Sequence, residues 1–524
     1  MRPLIVFMLF CLPVLSPAEV FGQAHPRDGE IHDADTLAWW HTTEDLSGDA
    51  MEGRDTGSPA YDRAALYVAN RFRRAGLQPA GDAGSAASAY FQKVAMHEVA
   101  VAEDGTSFSV MPLKGAVRPL RFLEEITINP VAGMAAVSEA ELVFRGYCGK
   151  DGMSGVAGKF VICFGTQRQG LPGGGERAAN VRAAGGVGVV TVDDMGFTIE
   201  PPRWPAAYAR SVSLGEAPAT ASAASPLLGM RVSVEAFSRM IEGSGQDAAA
   251  ILAAGGRKES LPAFDVPAKL GVKLNVTQRS YSSSNIVGVL PGTDPVLKNE
   301  YIVVSAHLDG YGYGTPVLGD KLYNGALDDA AYVALLIQFA DDLKSERRAL
   351  KRSVLFCAFT GEEKGLLGAN YFVEHPTVPL AQLVADVNLH QLRPLFPLHL
   401  LTALAIDDTS LGQSAKAVGG PMGIKFQADP EPERGLLRRA DHYPFLRVGV
   451  PAIGFIFGYE PGTEAERRYR EWYRVRYHRP QDDLTQPMDF EAAGKFDRFF
   501  YRLVEVLADD AQRPAFNAGS GFRK

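Results

Sequence analysis

From about residue 283 onwards the chain alternates short apolar runs with longer helical patterns, an order that few folds accept. The runs are NIVGVL, YIVVSA, SVLFCAF, LVADVNL and PAIGFIF, most of them rich in β-formers. Between them lie ALDDAAYVALLIQFADDL and KGLLGANYFVEH, which have helical character and the length for crossovers. Buried parallel strands joined by helices are the natural reading. The expected fold is therefore α/β, a mixed, largely parallel sheet flanked by helices. Upstream, Ala65, Leu66, Val68, Ala69 and Phe72 repeat at helical spacing until Gly76 stops the pattern. From about residue 125 the character changes to AELVFRGYC, GKFVICF and GGVGVVTV, short β-type runs rich in Gly and Ala. A smaller β-rich insertion thus interrupts the α/β domain. The loop LPGGGER has no GK[ST] after it and no strand–loop–helix frame, so it reads as a flexible surface loop rather than a phosphate cradle.

These readings divide the chain into residues 1–24, 25–124, 125–260 and 261–524. The first segment has Arg2, an apolar run from Leu4 to Leu15, and small residues after it. That is the pattern of a secretory signal peptide, and the run is too short to span a bilayer. The expected location is secreted or periplasmic, with no stable membrane insertion. Export permits a disulfide between Cys148 and Cys163 without requiring one, and Cys357 in its apolar run reads as a buried free thiol. Hydrophobic residues make up 46% of the 524 and charged residues 22%, which suits a folded globular chain. A net charge of −8 with no dominant basic stripe argues against nucleic acid as a partner.

In an open α/β sheet, ligands gather beyond the carboxyl ends of the strands. YIVVSA ends in His307, with Asp309 two residues on; SVLFCAFT leads to Glu362 and Glu363; LVADVNL ends in His390. Asp328 and Asp329 start the helix after the first of these strands, and PAIGFIF is followed by a loop reaching His478. Each has an ordinary explanation alone: a helix cap, an acid in a first turn, a core or surface histidine. Five loop regions delivering imidazole and carboxylate to one edge are harder to dismiss. Such groups suit zinc, with one carboxylate left over as a general base. No GxSxG elbow or reactive-looking Cys offers a nucleophile instead.

At these residues the chain resembles the two-zinc aminopeptidase and glutamate carboxypeptidase family of metallopeptidase clan MH, which also includes glutaminyl cyclases. The segments that carry the likeness are SAHLDG, YNGALDDA, FTGEEKGLLGANYF, VADVNLH, RRADHYPFLRVGVPAI and YHRPQDDL, across roughly residues 283–510. The stretch DAMEGRDTGSPAYDRAALYVANRFRRAGLQPAG resembles the family's opening segment, and the insertion resembles a protease-associated domain. The resemblance implies a zinc exopeptidase fold and peptide substrates. It implies His307 on one zinc, Asp328 bridging both, and Glu363 and His478 completing the other site. Glu362 becomes the general base, Asp309 stands behind His307 to fix its tautomer, and Arg439 takes a place near the reacting carbonyl.

One position departs from the family. Its NLD pattern reads Asn388, Leu389, His390 here, so an aspartate ligand is replaced by histidine. Two zinc ions are expected, with the site of His307, Asp328 and His390 weakened by the lost charge. A histidine must also be neutral to bind, so the native protein is expected to lose this second metal on mild acidification sooner than a His390→Asp variant. Asp329 in place of the usual asparagine is a milder departure. The implied activity is that of an exported aminopeptidase. The alternatives are a non-catalytic binding protein on the same fold and a single-zinc glutaminyl cyclase.

Overall fold

Two long strands, Phe91–Pro112 and Ala263–Leu290, pair antiparallel along most of their length and form a ribbon between two cores. The computed structural model describes residues 25–84, 89–196, 204, 206–216, 226–390 and 392–523, so the segment 1–24 lies outside it. At one end of the ribbon, Ile286–Leu290 pair antiparallel with Val354–Ala358. From there the strands Ser353–Phe359, Tyr301–His307, Leu383–Asn388 and Ala452–Phe457 run side by side and parallel. Leu400–Leu404 then adds antiparallel, with Lys425–Gln427 at the edge.

Successive side chains of a strand point to opposite faces, and the parallel strands use both. Ile302, Val304, Val354 and Phe356 join one core with residues of helices Ala34–Ser47, Pro59–Arg74, Ala331–Ser345 and Phe490–Asp509. Val303, Leu355 and Cys357 join another with Phe372 and Phe445 from the helices Leu367–Glu374 and His442–Val448. Cys357 is a buried free thiol, as its apolar run implied. The helix Pro59–Arg74 starts where sequence says it should: Ser58 accepts from Tyr61 N–H, and Pro59 occupies the first turn, where a missing N–H costs nothing. Just before it, buried Arg54 donates to the carbonyls of Leu46, Leu308, Asn324 and Gly325 at 2.7–2.9 Å. One guanidinium thus ties the opening segment to the loops that carry Asp309 and Asp328.

At the other end of the ribbon, Ala263–Lys273 pairs with Val137–Arg145. Phe160–Gly165, Gly188–Asp193 and Leu228–Val232 continue that sheet in parallel, and Ile126–Asn129 ends it antiparallel. The core of this module includes Val101, Phe108 and Val110 on one side of residues 125–260 and Val266 to Leu274 on the other. It is therefore wider than that interval, because the ribbon supplies the strands on which the module closes. Cys148 and Cys163, left open by sequence, are disulfide-bonded across 15 residues. Closing a loop of that size stabilises by about 3 kcal/mol through the unfolded chain. The glycine run differs from its expected loop form: Gly173 precedes a helix, Gly174–Ala183. Buried Arg177 on that helix holds the approach by donating to the carbonyls of Thr166 and Pro172. Among the described residues, no helix is long and apolar enough to cross a membrane.

Candidate metal centre

The carboxyl ends of the parallel strands bring the polar groups together. Strand Tyr301–His307 delivers His307, whose N–H donates to Asp329 Oδ2 at 3.1 Å. Its ring Nδ1 lies 3.1 Å from the backbone oxygen of Asp309, which leaves Nε2 pointing into the site. So Asp309 does lie behind His307, but through its carbonyl; its carboxylate Oδ1 is 3.7 Å from Nδ1. That carboxylate instead accepts the N–H groups of Glu362 and Glu363 at 3.1 and 3.3 Å and the Thr56 hydroxyl at 2.9 Å. The turn holding the two glutamates can form because Gly361 takes φ +66°, open to a residue without Cβ. Asp328 and Asp329 lie in the turn before helix Ala331–Ser345, and neither caps it. His390 follows strand Leu383–Asn388, and His478 lies beyond helix Glu464–Val475 with Tyr477 stacked on its ring at 3.6 Å.

Two groups of ligand atoms share Asp328, and a third, His307 with Glu362 and Glu363, overlaps them. His307, Asp328, Asp329 and His390 form one; Asp328, Glu363 and His478 form the other; within each, the ligand atoms lie within 4.8 Å of one another. Asp328 Oδ1 is 3.4 Å from His307 Nε2, and its Oδ2 is 3.5 Å from His478 Nε2. Glu363 Oε2 is 3.8 Å from the same His478 nitrogen. Glu362 stands over the first group, 4.0 Å from His307 Nε2 and 3.8 Å from His390 Nε2. Both Asp328 oxygens, His307 Nε2, Asp329 Oδ1 and Glu363 Oε1 are buried and make no hydrogen bond. Buried polar atoms without partners are costly, and a cation supplies what these lack. Nitrogen and oxygen donors of this kind fit zinc.

Electrostatics agree with a site waiting for positive charge. Burial raises Glu362 well above the ordinary carboxylate range, against the pull of His307 and with a push from Glu363. Burial likewise raises Asp329, and it takes Glu363 up to about 7 despite His478. Asp328 alone is held low: burial opposes ionisation, but His307, His478 and Arg393 outweigh it. His390 is lowered well below the usual histidine range, chiefly by burial and then by His307. It therefore favours the neutral form, whereas burial of His307 is outweighed by Asp329 and Glu362, which raise it well above the usual histidine range, so protons compete at His307 and the carboxylates.

Three features of the site were not read from the sequence. Asp329 belongs to the first group, so a carboxylate stands 3.8 Å from His390 Nδ1, in the cluster where one had been counted as lost. Arg393 is wholly buried, with its Nη2 3.7 Å from Asp328 Oδ2 and its guanidinium 4.4 Å from the Trp472 ring centroid. Tyr473 and Tyr477 complete that aromatic cage at 5.2 and 5.6 Å, a setting that favours a cation. Tyr311, from the loop after strand Tyr301–His307, and Tyr208, from outside the strand-end loops, both reach His478. A cavity of about 280 Å³ opens onto the site, with Tyr208, Glu362, Glu363, Leu366, Arg438 and Arg439 among its walls. Arg439 donates to the Tyr477 hydroxyl at 3.3 Å.

Comparison with known proteins finds a family model and relatives similar to the part of the chain that carries this centre. Residues 285–504 match the model of peptidase family M28. A glutamate carboxypeptidase 2 homolog of Caenorhabditis elegans is 22% identical over 284 residues, covering 48% of this chain and 34% of its own. A probable leucine aminopeptidase 2 of Aspergillus oryzae is 24% identical over 222 residues, covering 40% and 41%. The chain thus spans less than half the length of these two relatives. The solved structure of BSAP, a zinc aminopeptidase from Bacillus subtilis, superposes with a TM-score of 0.56 at 18% identity, covering 91% of this chain and 96% of its own. That likeness extends the shared fold over the inserted module. The segment 285–504, which matches the model of peptidase family M28, carries every residue of both ligand groups.

Proposed function

We propose that the chain is an exported zinc-dependent aminopeptidase. The observation that carries this is Asp328, whose two buried oxygens, without hydrogen bonds, face His307 on one side and His478 on the other. A carboxylate so placed suits two cations, one held with His307, Asp329 and His390, the other with Glu363 and His478. Zinc, when bound there, lowers the pKa of water and polarises a carbonyl. Glu362 supplies the proton transfers. Its burial makes it a stronger base than a surface glutamate, so it takes a proton from the attacking water and returns it to the leaving amine. Asp309 holds the Glu362–Glu363 turn and the His307 ring in register for this. Arg439, on the cavity wall, is placed to meet a substrate oxygen.

Export is supported by the segment 1–24 and by the Cys148–Cys163 disulfide, a bond that persists in oxidising compartments. We read the inserted module as a protease-associated domain. The test is zinc per chain in the purified protein together with hydrolysis of aminoacyl-nitroanilides. Two zinc ions and turnover are expected. Zinc without turnover on any peptide or anilide would favour a binding protein on this fold, and a single zinc with cyclisation of N-terminal glutamine would favour a cyclase.

A further inference from the structure

Among the described residues, the inserted module reaches the metal centre at Tyr208. Tyr208 lies in the turn Ala206–Ala209, directly before strand Arg210–Leu214, which pairs antiparallel with Met96–Ala100 of the ribbon. Its Oη is 2.5 Å from His478 Nδ1, while His478 Nε2 faces Asp328 and Glu363. Its neighbour Ala207 packs with Tyr311 and Tyr323 of the peptidase body. Two residues on, Arg210 grips Asp55 with both Nη atoms at 2.5 and 3.0 Å and donates from Nε to Glu98 at 3.0 Å. Asp55 in turn lies 3.3 Å from Lys364 Nζ, next to the Glu362–Glu363 pair, and bridges to Gly310, next to Asp309. One short stretch of the module is therefore fastened beside the catalytic turn and ends on a candidate ligand.

We infer that Tyr208 is a positioning residue for His478, supplied by the module to the peptidase body. The inference rests on the zinc reading above. A histidine ligand needs its outer ring nitrogen protonated and held, so that the inner lone pair is fixed on the metal. Tyr477 fixes the ring plane by stacking but does not choose between the nitrogens. Tyr311 Oη is 3.2 Å from both Nδ1 and Nε2, so it does not choose either. Tyr208 Oη lies 2.5 Å from Nδ1, and it accepts Nδ1–H once Nε2 gives its lone pair to a metal beside Asp328 and Glu363. The tautomer with Nε2 directed at Asp328 and Glu363 follows. Half of the metal centre then depends on how the module is seated, although the module holds none of the ligands proposed here.

The experiment is a zinc competition titration against a chromophoric chelator with the full chain, its Tyr208→Phe variant and its Arg210→Met variant. Tyr208→Phe keeps the ring and removes the hydroxyl. One zinc should bind about 10- to 100-fold more weakly, the usual scale for removing such a partner, while the other is unchanged. Arg210→Met should weaken the same zinc by a smaller factor. Nitrogen-15 NMR of the chelated protein gives a second readout: His478 should carry its proton on Nδ1 in the native chain and lose that preference in Tyr208→Phe. A folded Tyr208→Phe protein with native affinity for both zinc ions, equal weakening of both, or a native His478 protonated on Nε2 overturns the inference while leaving the zinc reading intact. A native chain that binds no zinc overturns both.

Discussion

On one flank of Asp328 stand His307, Asp329 and His390; on the other stand Glu363 and His478. The first flank is built entirely from the ends of adjacent parallel strands and the turn before one helix. The second takes Glu363 from a strand end but His478 from a loop, and that histidine is steadied by Tyr477, Tyr311 and Tyr208. Charge is matched, with Asp328 and one further carboxylate on each flank. Support is not. Strand ends locked by a parallel sheet need little else, whereas a loop ligand needs packing partners, and here one comes from another core. Ligand identity alone would have ranked the flanks by His390; the structure ranks them also by what holds each ligand.

The largest effect should come from a residue that serves both flanks without binding at either. Glu362→Gln should lower turnover by about 100- to 10,000-fold, the range for removing a general base, with both zinc ions retained. Steady-state kinetics and metal analysis on one preparation check this; near-native turnover would remove Glu362 from the mechanism. Next comes the carboxylate that the comparison adds. Asp329→Asn should weaken the zinc held with His307 and His390 by about 10- to 100-fold and spare the other. If the chelator titration finds both ions unmoved, Asp329 only braces the His307 backbone, and the first flank is one charge short after all.

Acid should strike the second flank at a definite place. Burial sets Glu363 near 7 when no metal is bound, so below that value a proton occupies it and must leave before zinc enters. Affinity on that flank should therefore hold above pH 7 and fall by about tenfold per pH unit below it, as expected for one displaced proton. Titrations at pH 8, 7 and 6 give the slope. A flat response across that range would mean that Glu363 is already ionised in the free protein.

Much of the centre was legible because strand ends are local features. His307, Glu362, Glu363 and His390 each end or follow an apolar run, and the sheet rule alone gathers them. What escaped was set by distance along the chain. Tyr208 and His478 are 270 residues apart, and Arg393 meets its cage some 80 residues later, so no window of sequence joins them. Arg393 lies three residues after His390 in HQLR, where an arginine ordinarily reads as exposed. The module's limits are blurred in the sequence for another reason. Ala263–Leu290 is a single 28-residue strand, against an ordinary length of about 5–6, and a boundary at 260 falls just before it. Its burial alternates in the first part, lapses in the exposed middle and becomes continuous over Asn285–Gly288, so each half looks like part of a different domain.

The smallest effect, and the sharpest test of the comparison, is His390→Asp. Restoring the family's carboxylate adds charge to the first flank, but beside Asp328 and Asp329 rather than in place of an empty position. Asp329 is already pushed up by burial and by Asp328, and a third acid would raise it further. Part of the gain in attraction for zinc is therefore spent on removing protons. His390 carries no such cost, since burial keeps it neutral well below the usual histidine range. The substitution should strengthen the first-flank zinc by less than about tenfold at pH 8, and the advantage should shrink as the pH falls towards 6. The sign of that trend is what matters. A histidine that titrated normally would lose metal in acid faster than aspartate, and the advantage of the variant would grow. An advantage that widens between pH 8 and pH 6 would show that His390 is exposed to protons in solution and that Asp329 does not share its site.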